Sequence, residues 1–368
     1  MRLALVTEFY YPHLGGVTEH VHHLALELKR RGHEVTVITS RMKGSSTDAP
    51  FVQRIGTSRV IYSNGAFARI TTGWRLSRRI EMALRTARAD VVHVQDGLAP
   101  VLGPLAAGAA HRLGIPVVAT FHSWFPRSIG YRVFRRPLQR RLDRLAATIA
   151  VSEPVVRALS RYFTARWEII PNGVDVGLFH PNGRSPADPG RQDPRLLFLG
   201  RLDPRNGLDT VLAAMPRILE RHPATRLVAA GDGPLRTWYE RAARPLGAAV
   251  QFIGHVNGER PARYGESDLY LCPTTKASFG ITLLEAMACG IPLLVSDIIG
   301  FRELVGDGAT AVLVPRDDPD AWADATLRLL SDPERRAAMG RAGRAKASLY
   351  AWPRVVDRIM AVYERVRR

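Results

Sequence analysis

The chain has 368 residues, 46% of them hydrophobic, a length and composition that suit two globular domains with full cores. Its 52 Lys+Arg against 34 Asp+Glu leave a formal net charge of +18, concentrated in residues 1–172, where 25 basic side chains meet 11 acidic ones. The two cysteines, Cys272 and Cys289, lie in apolar runs, which excludes a spaced thiolate set and reads as buried small hydrophobes in a reducing compartment.

A short apolar run, LALVTE (3–8), predicts a buried parallel strand. Val17, Val21, Leu24 and Leu28 follow at i, i+4, i+7 and i+11, one face of a helix that Gly32 stops. Strand signals continue with EVTVIT (34–39), DVVHVQD (90–96), IPVVATFH (115–122) and ATIAVS (147–152). The stretch PNGRSPADPGRQDP (181–194) reads as a linker. A second series then runs RLLFLGRLD (195–203), RLVAAGDG (226–233), VQFIGHV (250–256), LYLCPT (269–274), IPLLVSD (291–297) and TAVLVP (310–315). The last segment is a helix with Val355, Ile359, Val362 and Val366 on one side, and no strand follows it. Two βα series predict two doubly wound Rossmann-like α/β domains, 1–172 and 173–350. No stretch is long and apolar enough to cross a membrane, and the opening residues lack the pattern of a signal peptide, so an intracellular protein is expected.

In such folds ligands sit beyond the carboxyl ends of the strands, where helix N-termini offer unpaired N–H groups. Three places qualify. Gly15 and Gly16 follow the first strand and allow close backbone approach. Arg201 ends a strand and suits an anion or a surface ion pair. Ser278, Phe279 and Gly280 open a helix carrying Glu285, the one carboxylate in the apolar run SFGITLLEAMACGIPLLVSD. A helix N-cap accounts for Asp318 or Asp320, so the pair is not read as a metal site.

The ensemble of GRLDPRNG, GDGPL, FIGHV, SFGITLLEAMACGIPLLVSD, YPHLGGVTEHVHHLALELKRRGHEVTVIT, ATFH, AVSEPV and IIPNGVD resembles glycosyltransferase family 4 over nearly the whole chain. SFGI, GFRELVGDG and LVPRDDPDAW look most like its phosphatidylinositol mannosyltransferases. The resemblance implies a GT-B fold, two Rossmann-like domains facing across a cleft, with a final helix (351–368) crossing back to the N-terminal one. It implies transfer of a hexosyl unit with retention, without metal or other cofactor, from a nucleotide-sugar, GDP-mannose before UDP-sugars. Position by position, His122 should orient the transferring sugar and Arg201 should neutralise the diphosphate. Gly15, Gly16, Arg205, Asn206, Ser278, Phe279, Gly280 and Ile281 should complete the donor pocket. Glu285 should take both ribose hydroxyls, the ligand supplying the donors that make a buried carboxylate tolerable.

Two positions depart from the family pattern. Ala277 stands where a Glu-x7-Glu motif has its first carboxylate, and Asn206 where a lysine usually meets the diphosphate. With Ala277 no carboxylate of that motif can act as nucleophile, which favours a front-face route in which the donor phosphate accepts the acceptor's proton.

Two basic segments bear on the acceptor. Residues 73–88 carry Trp74, Arg75, Arg78 and Arg79, and residues 124–146 carry Arg127, Arg132, Arg135, Arg136 and Arg140 interleaved with apolar side chains. Each reads either as a basic amphipathic helix on an anionic bilayer or as an ordinary helix packed on its domain. A lipid acceptor such as phosphatidylinositol, on the inner face of the plasma membrane, heads the readings. A cytosolic transferase with a small polyol acceptor and a nucleotide-sugar binder without useful turnover stay open. No nucleic-acid reader motif is present.

Overall fold

The structure, a computed structural model, describes every residue except 14, 43, 45–48, 64, 65 and 182–192, and only the backbone at 61–63, 66–68 and 257. The stretch read as a linker therefore lies largely outside the described residues. The chain divides into two compact units, Met1–Gly173 with Trp352–Arg368, and Val174–Ala351.

In the first unit β1 (Arg2–Val6) leads through α1 (Gly16–Arg30) to β2 (Glu34–Arg41) and a hairpin, β3 (Val52–Ser63) and β4 (Ala66–Thr72). There follow α2 (Leu76–Thr86), β5 (Val91–Gln95), α3 (Leu102–Arg112) and β6 (Val117–Phe121). The series closes with α4 (Ile129–Val133), α5 (Arg135–Leu142), β7 (Ala147–Ala150), α6 (Glu153–Ser160) and β8 (Trp167–Ile169). The strand order is β4-β3-β2-β1-β5-β6-β7-β8, parallel except for the β3–β4 pair. Every residue of β5 and β6 is buried, as expected of strands covered on both faces, so their apolar residues do not alternate with exposed polar ones.

The second unit runs β9 (Arg195–Leu199), α7 (Leu208–Arg221), β10 (Arg226–Ala230), α8 (Arg236–Ala242), β11 (Val250–Gly254) and α9 (Arg260–Gly265). It continues with β12 (Leu269–Cys272), α10 (Ile281–Ala288), β13 (Leu293–Ser296), α11 (Ile299–Val305), β14 (Ala311–Val314), α12 (Pro319–Leu330) and α13 (Pro333–Ala347). Its sheet is parallel, in the order β11-β10-β9-β12-β13-β14. Asp318 caps α12, its carboxylate accepting from the Ala321 N–H at 3.0 Å.

The last helix, α14 (Trp352–Arg367), returns to the first unit. It buries Val355, Val356, Ile359, Val362 and Tyr363 against Val21, Leu24 and Leu28 of α1, the face expected from their spacing. At roughly 1.5–3 kcal/mol per buried apolar side chain, this contact is a major share of that core. Tyr363 Oη also lies 2.6 Å from Nδ1 of buried His93, whose Nε2 is 2.7 Å from Thr120 Oγ1, tying α14 to β5 and β6.

Both sheets change winding direction once. In the first unit the reversal falls between β1 and β5, in the second between β9 and β12. Loops leaving neighbouring strands at such a point diverge and open a crevice at the carboxyl ends, where ligands of open α/β sheets bind.

Candidate functional site

In the second unit the crevice is made by the loops after β9 and β12. Asp203 is buried and its Oδ1 accepts from the Arg205 N–H at 3.0 Å, starting a short 3-10 turn over Pro204–Asn206. Its Oδ2 lies 3.1 Å from Arg205 Nη2 and 3.8 Å from Arg201 Nε. One buried carboxylate thus gathers two half-exposed guanidiniums at the carboxyl end of β9, leaving most of their N–H groups for an anion.

Asn206 turns inward. Its Nδ2 donates to Arg201 O at 2.6 Å and its Oδ1 accepts from Thr274 Oγ1 at 3.4 Å, while the Thr275 N–H donates to Arg205 O at 2.8 Å. The residue at the usual lysine position therefore stitches the two crevice loops together. Gly207 makes the approach possible: its φ is +65°, and a Cβ there would sit 2.2 Å from the Pro273 carbonyl oxygen. Gly300 does the same for the next loop, since a Cβ would meet the Ala277 oxygen at 2.0 Å.

The β12 loop ends at Gly280, which precedes α10 with no side-chain cap. Phe279 is buried beside Tyr350, whereas Ser278 and Ile281 are half-buried. Glu285, one turn into α10, is 2% exposed. Its Oε1 takes Arg260 Nη1 at 2.8 Å and its Oε2 takes Tyr264 Oη at 3.1 Å. Donors from α9 thus already partner the buried carboxylate, which fixes it at the start of the crevice. Arg260 and Tyr264 carried no local signal, because they lie 25 and 21 residues upstream on another element.

In the first unit Gly15 precedes α1 without a side-chain cap, its φ of 166° being extended backbone open to any residue. Gly16 begins the helix. His122 follows β6 and is buried. Its Nε2 lies 2.6 Å from Gln95 Oε1, and the His20 ring stands edge-on at 4.9 Å. Burial, then the neighbouring His20 and His93, holds His122 well below the ordinary histidine range, so the ring is neutral at pH 7. Asp96, which follows β5, accepts from the His122 N–H at 3.2 Å. Sequence reasoning quoted Gln95 and Asp96 only as a strand end.

The basic segments separate into two cases. Along 73–88 the apolar face of α2, Leu76, Ile80 and Leu84, packs into the core, so the domain-packing alternative describes the helix itself. Outside it remain Trp74, 82% exposed with Arg75 against its ring at 5.8 Å, and exposed Arg78 and Arg79. The segment 124–146 is not one helix but two short ones that break at Phe134, because Pro137, in the first turn of the second, has no N–H for the Val133 carbonyl and its ring crowds that oxygen. Arg127, Arg132, Arg135, Arg136 and Arg140 are all exposed, and Ile129, Val133 and Phe134 stand out among them, with exposures of 81%, 66% and 59%. The first segment adjoins α3 through Arg112 and Glu81, the second adjoins the end of α6 through Arg135 and the Tyr162 carbonyl.

A further hollow in the second unit, lined by Arg195, Arg226, Gln251, Arg263 and Glu266, opens at the amino ends of β9 and β10, away from the reversal. No group of three or more metal-ligating side chains occurs among the described residues, and none of their helices is long and apolar enough to cross a membrane.

Comparison with known proteins agrees with this layout. The family model Glycosyltransferase Family 4 matches residues 14–178, and Glycosyl transferases group 1 matches residues 184–346. Phosphatidyl-myo-inositol mannosyltransferase of Mycobacterium tuberculosis is 35% identical over all of this chain and 97% of that protein. The Mycolicibacterium smegmatis protein of the same name is 34% identical, over all of this chain and 94% of the relative. Among solved structures, sucrose-phosphate synthase from Thermosynechococcus elongatus superposes with a TM-score of 0.78 at 21% identity, covering 99% of this chain and 98% of that one. Anabaena HepE in complex with UDP also reaches 0.78, at 19% identity, covering 99% and 100%. The doubly wound pair of units with its returning helix is thus the GT-B fold. With two family models covering both units and relatives matched from end to end, the chain belongs to glycosyltransferase family 4.

Proposed function

We propose that the chain transfers a mannosyl unit from GDP-mannose to a hydroxyl of phosphatidylinositol at an anionic membrane surface, with retention of configuration. The end-to-end likeness to the mycobacterial mannosyltransferases carries this reading. Arg201 and Arg205, gathered on Asp203, neutralise the diphosphate as it leaves, the role a lysine at 206 would otherwise share. The uncapped helix starts at Gly15–Gly16 and Ser278–Ile281 offer main-chain N–H groups to the phosphates and the sugar. Glu285, held rigid by Arg260 and Tyr264, accepts from the ribose, and neutral His122 orients the transferring sugar. The anomeric C–O bond to the diphosphate breaks while the acceptor oxygen bonds to the same face of that carbon, and its proton passes to the leaving phosphate oxygen.

Incubating the protein with labelled GDP- and UDP-sugars, and with phosphatidylinositol vesicles and free inositol as parallel acceptors, tests the reading. Mannose from GDP-mannose should appear in the lipid. Transfer to the soluble polyol alone, or turnover only after Ala277→Glu and Asn206→Lys, would replace it with a cytosolic transferase or a binding protein.

The exposed Ile129, Val133 and Phe134 with their surrounding arginines form the membrane contact. Each cation near an anionic surface is worth about 1 kcal/mol. Replacing Arg132, Arg136 and Arg140 by Ser should therefore weaken flotation with phosphatidylserine-containing vesicles roughly a hundredfold. Unchanged flotation would move the contact elsewhere.

A further inference from the structure

Two carboxylates stand at the reversal point of the first sheet, and they are used differently. Glu8, just beyond β1, is 2% exposed and fully engaged: the N–H groups of Val101 and Leu102 donate to Oε1 at 2.9 and 2.6 Å, and the Thr71 hydroxyl to Oε2. It is an anchor between β1 and the start of α3. Asp96, just beyond β5, is half-buried and anchors nothing comparable. Among the described residues its side chain has one hydrogen bond, from the His122 N–H to Oδ1, and no Lys or Arg is paired with it. Burying part of a carboxylate without a second donor is unfavourable unless a ligand supplies one.

The backbone holds this side chain in place. Asp96 has a left-handed φ of +58°, and its own N–H is fixed to Thr120 O at 2.8 Å. Gly103 in α3 leaves room for its carbonyl, since a Cβ there would lie 2.7 Å from that oxygen. The carboxylate is thereby turned across the strand ends toward β6. Tyr131, wedged among Phe125, Tyr162 and Phe163, has its phenol raised above the ordinary range by burial and then by the Asp96 charge, which places that hydroxyl within the field of the carboxylate. Burial, offset in part by the His122 N–H, lifts the Asp96 carboxyl to about 6, the expected result for an acid lacking a cation.

A carboxylate with one oxygen satisfied and one open selects a hydroxyl donor and repels a phosphate. We propose that Asp96 is a further substrate-contacting residue, its Oδ2 accepting a hydrogen bond from a hydroxyl of a polyol acceptor. The proposal rests on the transferase reading, from which it takes the existence of a hydroxyl acceptor. It adds which residue holds that acceptor, and that any phosphate on it must point away from β5.

Saturation-transfer NMR with free myo-inositol as the probe, in the presence of GDP, tests the contact without requiring turnover. The native protein should saturate the inositol signals. Asp96→Asn and Asp96→Ser should weaken binding by about 10- to 100-fold, the usual worth of a hydrogen bond to a charged group. Both should keep the native melting temperature, because the His122 N–H still finds a side-chain oxygen. Equal saturation by the variants, or none by the native chain, overturns the proposal. A native chain that binds inositol through Asp96 but transfers no mannose would defeat the transferase reading alone.

Discussion

Replacing Arg260 by alanine should cost the second unit about 3–5 kcal/mol, because it strands the Glu285 carboxylate without its cation at 2% exposure. The pair is 2.8 Å long, the guanidinium also rests on the Phe179 ring at 5.6 Å, and Tyr264 covers the second carboxylate oxygen. Tyr264 cannot take over. Burial and the neighbouring carboxylate hold its phenol well above the ordinary tyrosine range, so it stays a neutral donor. For a unit of this size the loss corresponds to a fall in melting temperature of roughly 6–20 °C. Arg260→Met combined with Glu285→Gln removes both charges and should recover most of it, since a pair deleted together leaves nothing uncompensated. Urea melts of the native chain, Arg260→Met, Glu285→Gln and the double variant close the cycle. A single-variant cost below about 1 kcal/mol would show that solvent reaches the pair and that α9 does not hold Glu285 in place.

Acidification should loosen the first unit before the second. His20 and His93 are buried and held neutral, at about 4 and about 3, chiefly by desolvation. Asn172 beside His20 is outside hydrogen-bonding geometry and only softens the effect. In the unfolded chain both residues titrate near 6.5. Below that pH the unfolded state binds protons that the folded one refuses, so stability is complete above 6.5 and lost as pH falls toward 4. Each of these histidines forfeits about 1.4 kcal/mol per pH unit over that window, buried His122 adds to the loss, and protonation of Asp96, lifted to about 6, offsets part of it. Hydrogen exchange in β5 and β6 should therefore accelerate between pH 6.5 and 4.5, and His20→Gln should reduce the slope. Protection that stays flat across this range would mean that the two rings take up protons without unfolding.

The strands that line the two crevices were legible because burial on both faces leaves short valine-rich runs, as in β5 and β6, and a breaker such as Gly32 marks where the intervening helix stops. Less regular pieces escaped. The β3–β4 hairpin mixes Arg, Thr and Ser with its apolar positions, and β8 is three half-buried residues, so neither has a strong period. The segment 124–146 shows how composition misleads: its alternation of Arg with apolar side chains suggests one long helix, while the chain breaks at Phe134, because Pro137 cannot donate to the Val133 carbonyl. At the site, single residues at strand ends could be picked out one at a time, but their partners could not. Asp203 beneath two arginines, Arg260 beneath Glu285 and Gln95 against His122 are pairings made by the fold, and no local pattern encodes them.

The return of α14 to the first unit sets the order in which the chain can mature on the ribosome. Residues Val174–Ala351 form an uninterrupted unit and can close their core as soon as they emerge. The first unit is begun earlier but completed later, for Val355, Val356, Ile359, Val362 and Tyr363 are made only after the whole of the second unit. Until then the apolar face of α1 and the buried ring of His93 lack their cover. During synthesis the second unit can therefore be complete while the first still lacks α14, so the finished core of the first unit is not reached in simple N-to-C order.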